Sequence, residues 1–273
     1  MKLIRRVKAF IIRDFQLAVS YRFEFVIKIV WILGVSTTFY FISRLAETGL
    51  IDFRYPNWQH LLPAWLTGLA MLNYFLVGFS ALANVIRQEQ MQGTLESVLL
   101  TPINVPTVII SSSAWAYVEA TFYSFLYLLF GWVFFNVEYK GSYALAFAFM
   151  ILTTLSLACI GILSASFAMV FKRGDPFAVL LGAGTALFSG VFYPKEMLAE
   201  ELGSAGRAIS AVNPSTHGLD GIRGILIQGQ TLADVQPQLL ILVAFLSVLL
   251  PFSLWVFSLS VKKAKRDGSL IQY

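Results

Sequence analysis

The sequence predicts an all-α integral membrane protein with six transmembrane helices, and three observations carry that prediction. Hydrophobic residues make up 58% of the 273 residues and charged residues 13%, about half the charged share of an ordinary globular domain. Apolar runs long enough to cross a bilayer, about 20 residues each, follow one another with short polar connections. The basic residues gather near the chain ends, which supply most of the net charge of +5. No basic, aromatic-interleaved soluble domain is present to hold a nucleic acid, so this charge suits an anionic lipid surface instead. A single Cys159 allows no internal disulfide framework, and with only His60 and His217 beside it no structural metal cluster is expected.

Residues 1–24 carry Lys2, Arg5, Arg6, Lys8, Arg13 and Arg22, with Leu3, Ile4, Val7, Phe10, Ile11 and Phe15 at helical spacing. This pattern predicts a basic amphipathic helix in the membrane interface. The apolar run 25–42 follows without a small-residue cleavage site, so it reads as an uncleaved first span rather than a signal peptide. Lys28, one turn inside, is expected to snorkel back to the headgroups. A polar external connection with Tyr55 and Trp58 leads to a second span over 60–84, in which Gly68 and Gly78 permit close helix approach.

The longest polar interruption on the side of the termini is Arg87 to Pro102. Apolar Met91, Leu95, Val98 and Leu99 recur at helical spacing among Arg87, Glu89, Glu96 and several glutamines, and Thr101-Pro102 stops the run. An amphipathic helix outside the hydrocarbon, over 85–102, is expected. The third span, 105–135, is longer than a crossing requires, and its Ser112, Trp115, Glu119, Tyr123 and Tyr127 share one helix face. A carboxylate at that depth is paired, protonated or facing water. The stripe is therefore a candidate substrate path, with a carboxyl bonded to a serine or tyrosine of a neighbouring span as the structural alternative.

The fourth span covers 143–171 and ends at Lys172-Arg173-Gly174-Asp175-Pro176, a turn that starts the short fifth span, 177–192. Residues 193–236 are moderately apolar and broken by prolines and glycines. An unstructured stretch of that length is improbable in a compact protein, so short re-entrant helices in the outer half of the bilayer are expected, hinging at Gly218, Gly221 and Gly224. His217, after Asn213-Pro214, reads as a turn or capping residue rather than a metal ligand. The last span is 237–261, followed by Lys262, Lys263, Lys265 and Arg266. Of the 20 lysines and arginines, 14 fall on the side of the termini, which places both termini in the cytoplasm.

Glu89, then Gly93-Thr94-Leu95-Glu96 and Leu99-Leu100-Thr101-Pro102 resemble the coupling-helix segment of type-2 ATP-binding-cassette (ABC) export permeases. Ser189-Gly190-Val191-Phe192-Tyr193-Pro194, then Asn213-Pro214-Ser215-Thr216-His217 and Arg223 resemble the external segment that follows the fifth span in the same family. The order of elements matches as well, over most of the chain, as a single permease domain of residues 1–273. The resemblance implies that Arg87, Glu89, Gly93, Thr94, Leu95 and Glu96 dock an ATPase. It implies an external gate with Ser189, Gly190, Pro194, Asn213, Pro214 and Arg223. It also implies a second permease copy, a homodimer or a pair of related subunits, above two ATPase subunits that hold ATP and magnesium.

The chain gives its own reason to look for the motor elsewhere, since no Gly-x-x-x-x-Gly-Lys-[Ser/Thr] loop occurs in it. No cofactor, catalytic residue or metal is expected in this chain. The resulting expectation is a permease subunit in the cell membrane that moves an amphiphilic small molecule or lipid outward, with a polysaccharide or lipid-linked polymer as the alternative cargo. An ion-coupled carrier or channel using Glu119 as a proton site is the rival of a different class. An intramembrane enzyme is disfavoured, because Glu119 stands nearly alone among the spans and such chemistry needs converging acids or histidines.

Overall fold

The computed structural model describes residues 8, 11–13, 15, 16, 19, 20, 22–48, 61–91, 93, 105–171 and 176–266. Among these there is no strand. The helices are α1 (Arg22–Glu47), α2 (Leu61–Met91), α3 (Val105–Phe135), α4 (Tyr143–Phe171), α5 (Pro176–Phe188), α6 (Lys195–Glu201), α7 (Gly203–Val212), α8 (Pro214–Leu226) and α9 (Gln236–Arg266). Five of them, α1 to α4 and α9, are long and apolar enough to cross a membrane. The backbone explains why: in hydrocarbon each amide must find its partner within its own helix.

The expected fifth span, 177–192, is a 13-residue helix that stops at Phe188. At 1.5 Å per residue it is about 20 Å long, short of a hydrocarbon core of about 30 Å. The chain then bends through Ser189 to Tyr193, with Gly190 at φ 81°, in the left-handed region where a side chain is strained.

A second departure concerns the expected helix over 85–102. Residues 85–91 continue α2 without a break, so the second span does not end at Asn84. Gly93 stands in a turn with φ 69°, a left-handed conformation typical just past a helix end. Residues 94–102 lie outside the described residues, as do most of the expected interface helix and the turn at 172–175. The first and last spans are longer than expected, since α1 runs on to Glu47 and α9 to Arg266.

Helices α1 to α4 alternate in direction, and α9 runs parallel to α4. The end of α1, the start of α2 and the end of α3 gather around one cleft that also holds Lys140. At the opposite end, Leu82, Ala83 and Ile86 of α2 pack with Ala165, Ala168 and Met169 of α4 and Phe257 of α9. The most buried of the spans is α2, and α1 and α9 are the least buried, so α2 and α4 form the centre with α1 and α9 at opposite flanks. Small residues set the central crossing. A Cβ on Gly161 would overlap the Gly78 carbonyl oxygen, and one on Gly78 would come within 2.9 Å of the Leu157 side chain. Where lipid is as apolar as leucine, such close backbone approach is what favours helix association. Ser124 Oγ donates to the Ala70 carbonyl at 2.6 Å and adds a polar tie between α3 and α2.

Of the short helices, α8 packs on α4 and α9, with α7 and α6 beyond it, and α5 lies on α2 and α4. Asn213 Oδ1 accepts the Ser215 amide at 3.0 Å and Pro214 occupies the first turn, so α8 starts with a capped N-terminus. Along α8, Gly218 faces Thr153, Gly221 faces Phe149, and Ile225 lies against Gly141. The index on α4 falls as that on α8 rises, so the two are antiparallel. Gly218, Gly221 and Gly224 are therefore not hinges: each lies within the helix and is pressed against a neighbour, where a Cβ would collide with Thr153, Phe149 or Gln230.

Candidate functional site

Three clusters of side chains bear on function. The first lies at the end of α2. Arg87 is exposed, Gly93 is exposed with open space around it, and the side chain of Glu89 falls outside the described set. Thr94, Leu95 and Glu96 lie outside the described residues. Helix α2 contains 31 residues, about 46 Å of unbroken helix. One piece of backbone thus links the segment that resembles a coupling helix to the other end of the bundle.

The second cluster surrounds Glu119. Its Oε1 accepts from Lys28 Nζ at 2.7 Å, and the same ammonium reaches Glu24 at 2.9 Å, one turn earlier on α1. Lys28 also lies over the Tyr123 ring, 5.5 Å from its centroid, a cation–π arrangement. Lys28 is thus held by an acid of α3, and Glu119, which also bonds the Tyr123 hydroxyl of its own helix, takes a lysine as its partner on the neighbouring helix. Trp115 meets Phe15 edge to face at 5.9 Å, Tyr123 is near Phe25, and Tyr127 is buried in the apolar cluster shared by α1, α2 and α3. The face bearing Trp115, Glu119, Tyr123 and Tyr127 is the one α3 turns toward α1. The side chain of Ser112 is not among those described.

Loss of Lys28 would leave Glu119 without its ammonium, whereas loss of Glu119 would leave Lys28 with Glu24 alone. Lys28→Gln or Glu119→Gln alone is therefore expected to lower the amount of chain accumulating in membranes, and the double variant to recover part of the loss. Quantifying the tagged chain in membrane fractions tests this. Single and double losses that simply add would mean the pair is not coupled.

The third cluster is built by Arg223 on α8. Its Nε and Nη2 donate to the Ala64 carbonyl at 3.2 and 2.8 Å, Nη1 to Gly190 at 2.7 Å and Nη2 to Val191 at 3.0 Å. A single guanidinium joins the second turn of α2, the bend after α5 and α8. The fork of donors on a flat cation suits this task, and a lysine could not reproduce it. Gly68 makes the clamp possible, because a Cβ there would come within 2.8 Å of the Val191 oxygen and 2.9 Å of Arg223 Nη2. Trp65 Nε1 reinforces the joint by donating to the Phe192 carbonyl at 2.8 Å.

Of the residues expected to form a gate, Gly190 and Arg223 are in direct contact, and Ser189 is buried beside them in the bend. Pro194 precedes α6, and Asn213 and Pro214 begin α8 at the other end of that helix. Above the clamp opens a polar cleft of about 410 Å³, bordered by Lys140, Lys195, Glu196, Asp220, Arg223 and Gln238. Lys195 is ion-paired with Asp220. His217 bonds through Nε2 to the Ala211 carbonyl at 2.9 Å, so it and Asp220 have separate partners. Beyond this cleft, the Thr231 amide and hydroxyl both donate to Asp234, at 2.9 and 2.8 Å, and hold its carboxyl below the usual range. No group of three or more potential metal ligands occurs among the described residues.

Sequence reasoning singled out Glu119, Lys28, Arg223 and Gly190 but paired neither Glu119 with Lys28 nor Arg223 with the Ala64 carbonyl. Lys28 is 91 residues from Glu119, and Ala64 is 159 residues from Arg223, so no local spacing signals either contact. The Lys195–Asp220 pair, 25 residues apart, went unread for the same reason.

The family comparison decides what kind of machine carries these clusters. The model of the ABC-2 type transporter family matches residues 5–227. The chain belongs to the ABC-2 type transporter family. The match runs through α1 to the end of α8 and so takes in all three clusters. An ABC-2 chain is the multi-pass membrane permease of an ABC transporter, a transmembrane component that is not itself catalytic, and it normally works with an ATPase subunit. No curated protein matched the sequence.

Proposed function

We propose that this chain is the membrane-spanning half of an ATP-driven exporter that moves an amphiphilic small molecule or lipid outward. Membership of the ABC-2 family is the observation that carries the reading. Two copies of a separate ATPase, each with ATP and magnesium, dock on residues 85–102 of a permease homodimer in the cell membrane, with both termini in the cytoplasm. The unbroken α2 supports this division of labour, since displacement of its docking end is transmitted along one rigid rod to the Arg223 clamp. Closure of the ATPase pair moves the permease only to the extent that its two states bind the ATPase with different free energy.

The polar cleft above the clamp and the apolar outer surfaces of α1 and α9 favour an amphiphile over a wholly polar polymer, because one molecule then meets a matching surface at each depth. Helices α7 and α8 act as the re-entrant external unit. The proton-site reading is weakened by Lys28, whose ammonium already occupies Oε1 of Glu119 at 2.7 Å.

Purification from the native host, mass spectrometry of what copurifies and an ATPase assay test the proposal. A P-loop subunit in equal amount is expected, and it is expected to be lost in Glu96→Arg. A chain that purifies alone and moves solute without ATP would overturn it. Gly93 supplies a sharper variant pair, because the space around it is open and only its φ of 69° is demanding. Gly93→Asn, which tolerates that conformation, is expected to retain the ATPase, and Gly93→Val to lose most of it.

A further inference from the structure

At the end of the bundle opposite the polar cleft, α4 and α9 leave a shallow groove of about 360 Å³ between them. Its walls are Leu163, Phe167 and Val170 from α4 and Val256 and Leu259 from α9, and Ser260 and Lys263 close the line toward the end of α9. The lining, which also includes Ser166, covers about two turns of each helix and becomes charged only at Lys263, the last residue of the membrane-length stretch Gln236–Lys263. That order of surfaces, hydrocarbon first and a cation at headgroup depth, matches an acyl chain with an acidic head.

Charge narrows the occupant further. Lys262 and Lys263 are exposed, as is Arg266 one turn on. In the sequence, Lys172 and Arg173 follow directly after α4, and Lys265 lies between Lys263 and Arg266. Both helices that make the groove therefore run into basic residues, and such clusters at the cytoplasmic boundary attract anionic lipid. The groove also lies beside the cluster of Leu82, Ala83, Ile86, Ala165, Met169 and Phe257, which fastens the docking end of α2 to α4 and α9.

We infer that this groove is a binding site for one anionic phospholipid of the leaflet facing Lys263, with an acyl chain between α4 and α9 and its phosphate on Lys263. The lipid occupies the side of α4 and α9 away from α2 and so braces the pair of helices against which the docking end of α2 is packed. The inference rests on the membrane location of the chain and stands whether or not the proposed cargo and ATPase partner are correct.

Native mass spectrometry of the purified full-length chain tests it. The chain is titrated in neutral detergent with phosphatidylglycerol and, separately, with phosphatidylcholine of the same acyl chains. The wild type is expected to retain one phosphatidylglycerol per chain in preference to phosphatidylcholine. Lys263→Gln is expected to weaken phosphatidylglycerol retention about five-fold and leave phosphatidylcholine unchanged, the scale expected for one lysine at an anionic head. Ser260→Phe, which fills the groove, is expected to weaken retention of both lipids. Lys262→Gln, on a neighbouring residue outside the groove, is expected to weaken phosphatidylglycerol retention clearly less than Lys263→Gln does and to leave phosphatidylcholine unchanged. Equal retention of the two lipids by the wild type, or unchanged phosphatidylglycerol retention in Lys263→Gln, would overturn the site. An equal loss in Lys262→Gln would overturn it too, since it would show a diffuse basic surface.

Discussion

Arg223→Lys is expected to lower the stability of the purified permease by roughly 3–6 kcal/mol and to abolish transport. The lysine keeps the charge but not the fork. Four hydrogen bonds converge on the guanidinium from the carbonyls of Ala64, Gly190 and Val191, and an ammonium on a single stem reaches one or two of them. Two lost bonds from a charged donor, at about 1.5–3 kcal/mol each, set the magnitude. The measurement is thermal unfolding in detergent beside a transport assay in the same preparation. Lys140→Gln, at the rim of the same cleft, is the comparison and is expected to leave unfolding unchanged. If Arg223→Lys unfolds at the wild-type temperature, the clamp does not hold the three segments together.

The second large effect is expected at the α2–α4 crossing. Gly161→Ala places a methyl group where the Gly78 carbonyl oxygen already lies, and neither partner is a flexible side chain that can swing away. The helices must separate, with loss of the packing around Phe75, Phe79 and Leu157. A cost of about 1–3 kcal/mol for alanine is the usual scale of such overpacking, and a larger side chain should cost more. Gly184 on α5 has no atom within 4 Å of the position of its would-be Cβ, so Gly184→Ala is expected to be nearly silent. Chain abundance in membranes and unfolding temperature in detergent check both. Equal effects at Gly161 and Gly184 would mean that helix propensity, not the crossing, governs these positions.

The long helices were legible in the sequence because hydrocarbon imposes a minimum length and forbids unpaired backbone. The bounds expected for the third and fourth spans coincide with helices α3 and α4, whose membrane-length apolar stretches are Ser113–Phe135 and Tyr143–Val170. The second span misled at its far end, because Arg87 and the glutamines mark where the helix leaves hydrocarbon, not where it stops. The fifth failed for the opposite reason. The run to Phe192 is free of charge and mostly apolar, but Gly190 bends the backbone, and Val191 is apolar because it is buried against α2, not because it continues a helix. The glycines of α8 were read as hinges when they are contact points, since a sequence cannot show whether a missing side chain serves motion or proximity. Arg223 was picked out by resemblance, whereas its role as a clamp depends on carbonyls that carry no signature in residue type.

The pair formed by Lys28 and Glu119 bears on how the molecule is made. The two residues are 91 positions apart, and at about 5–20 residues per second a ribosome needs several seconds to travel from one codon to the other. Throughout that interval α1 stands in or near the bilayer with a lysine whose acidic neighbour is Glu24 on its own helix, and its apolar surface is mostly uncovered, as it remains in the finished bundle. The second helix comes first and seats Phe39 of α1 against Trp65, but the ion pair on Lys28 waits for the third, so the order of synthesis becomes part of how α1 is held in register.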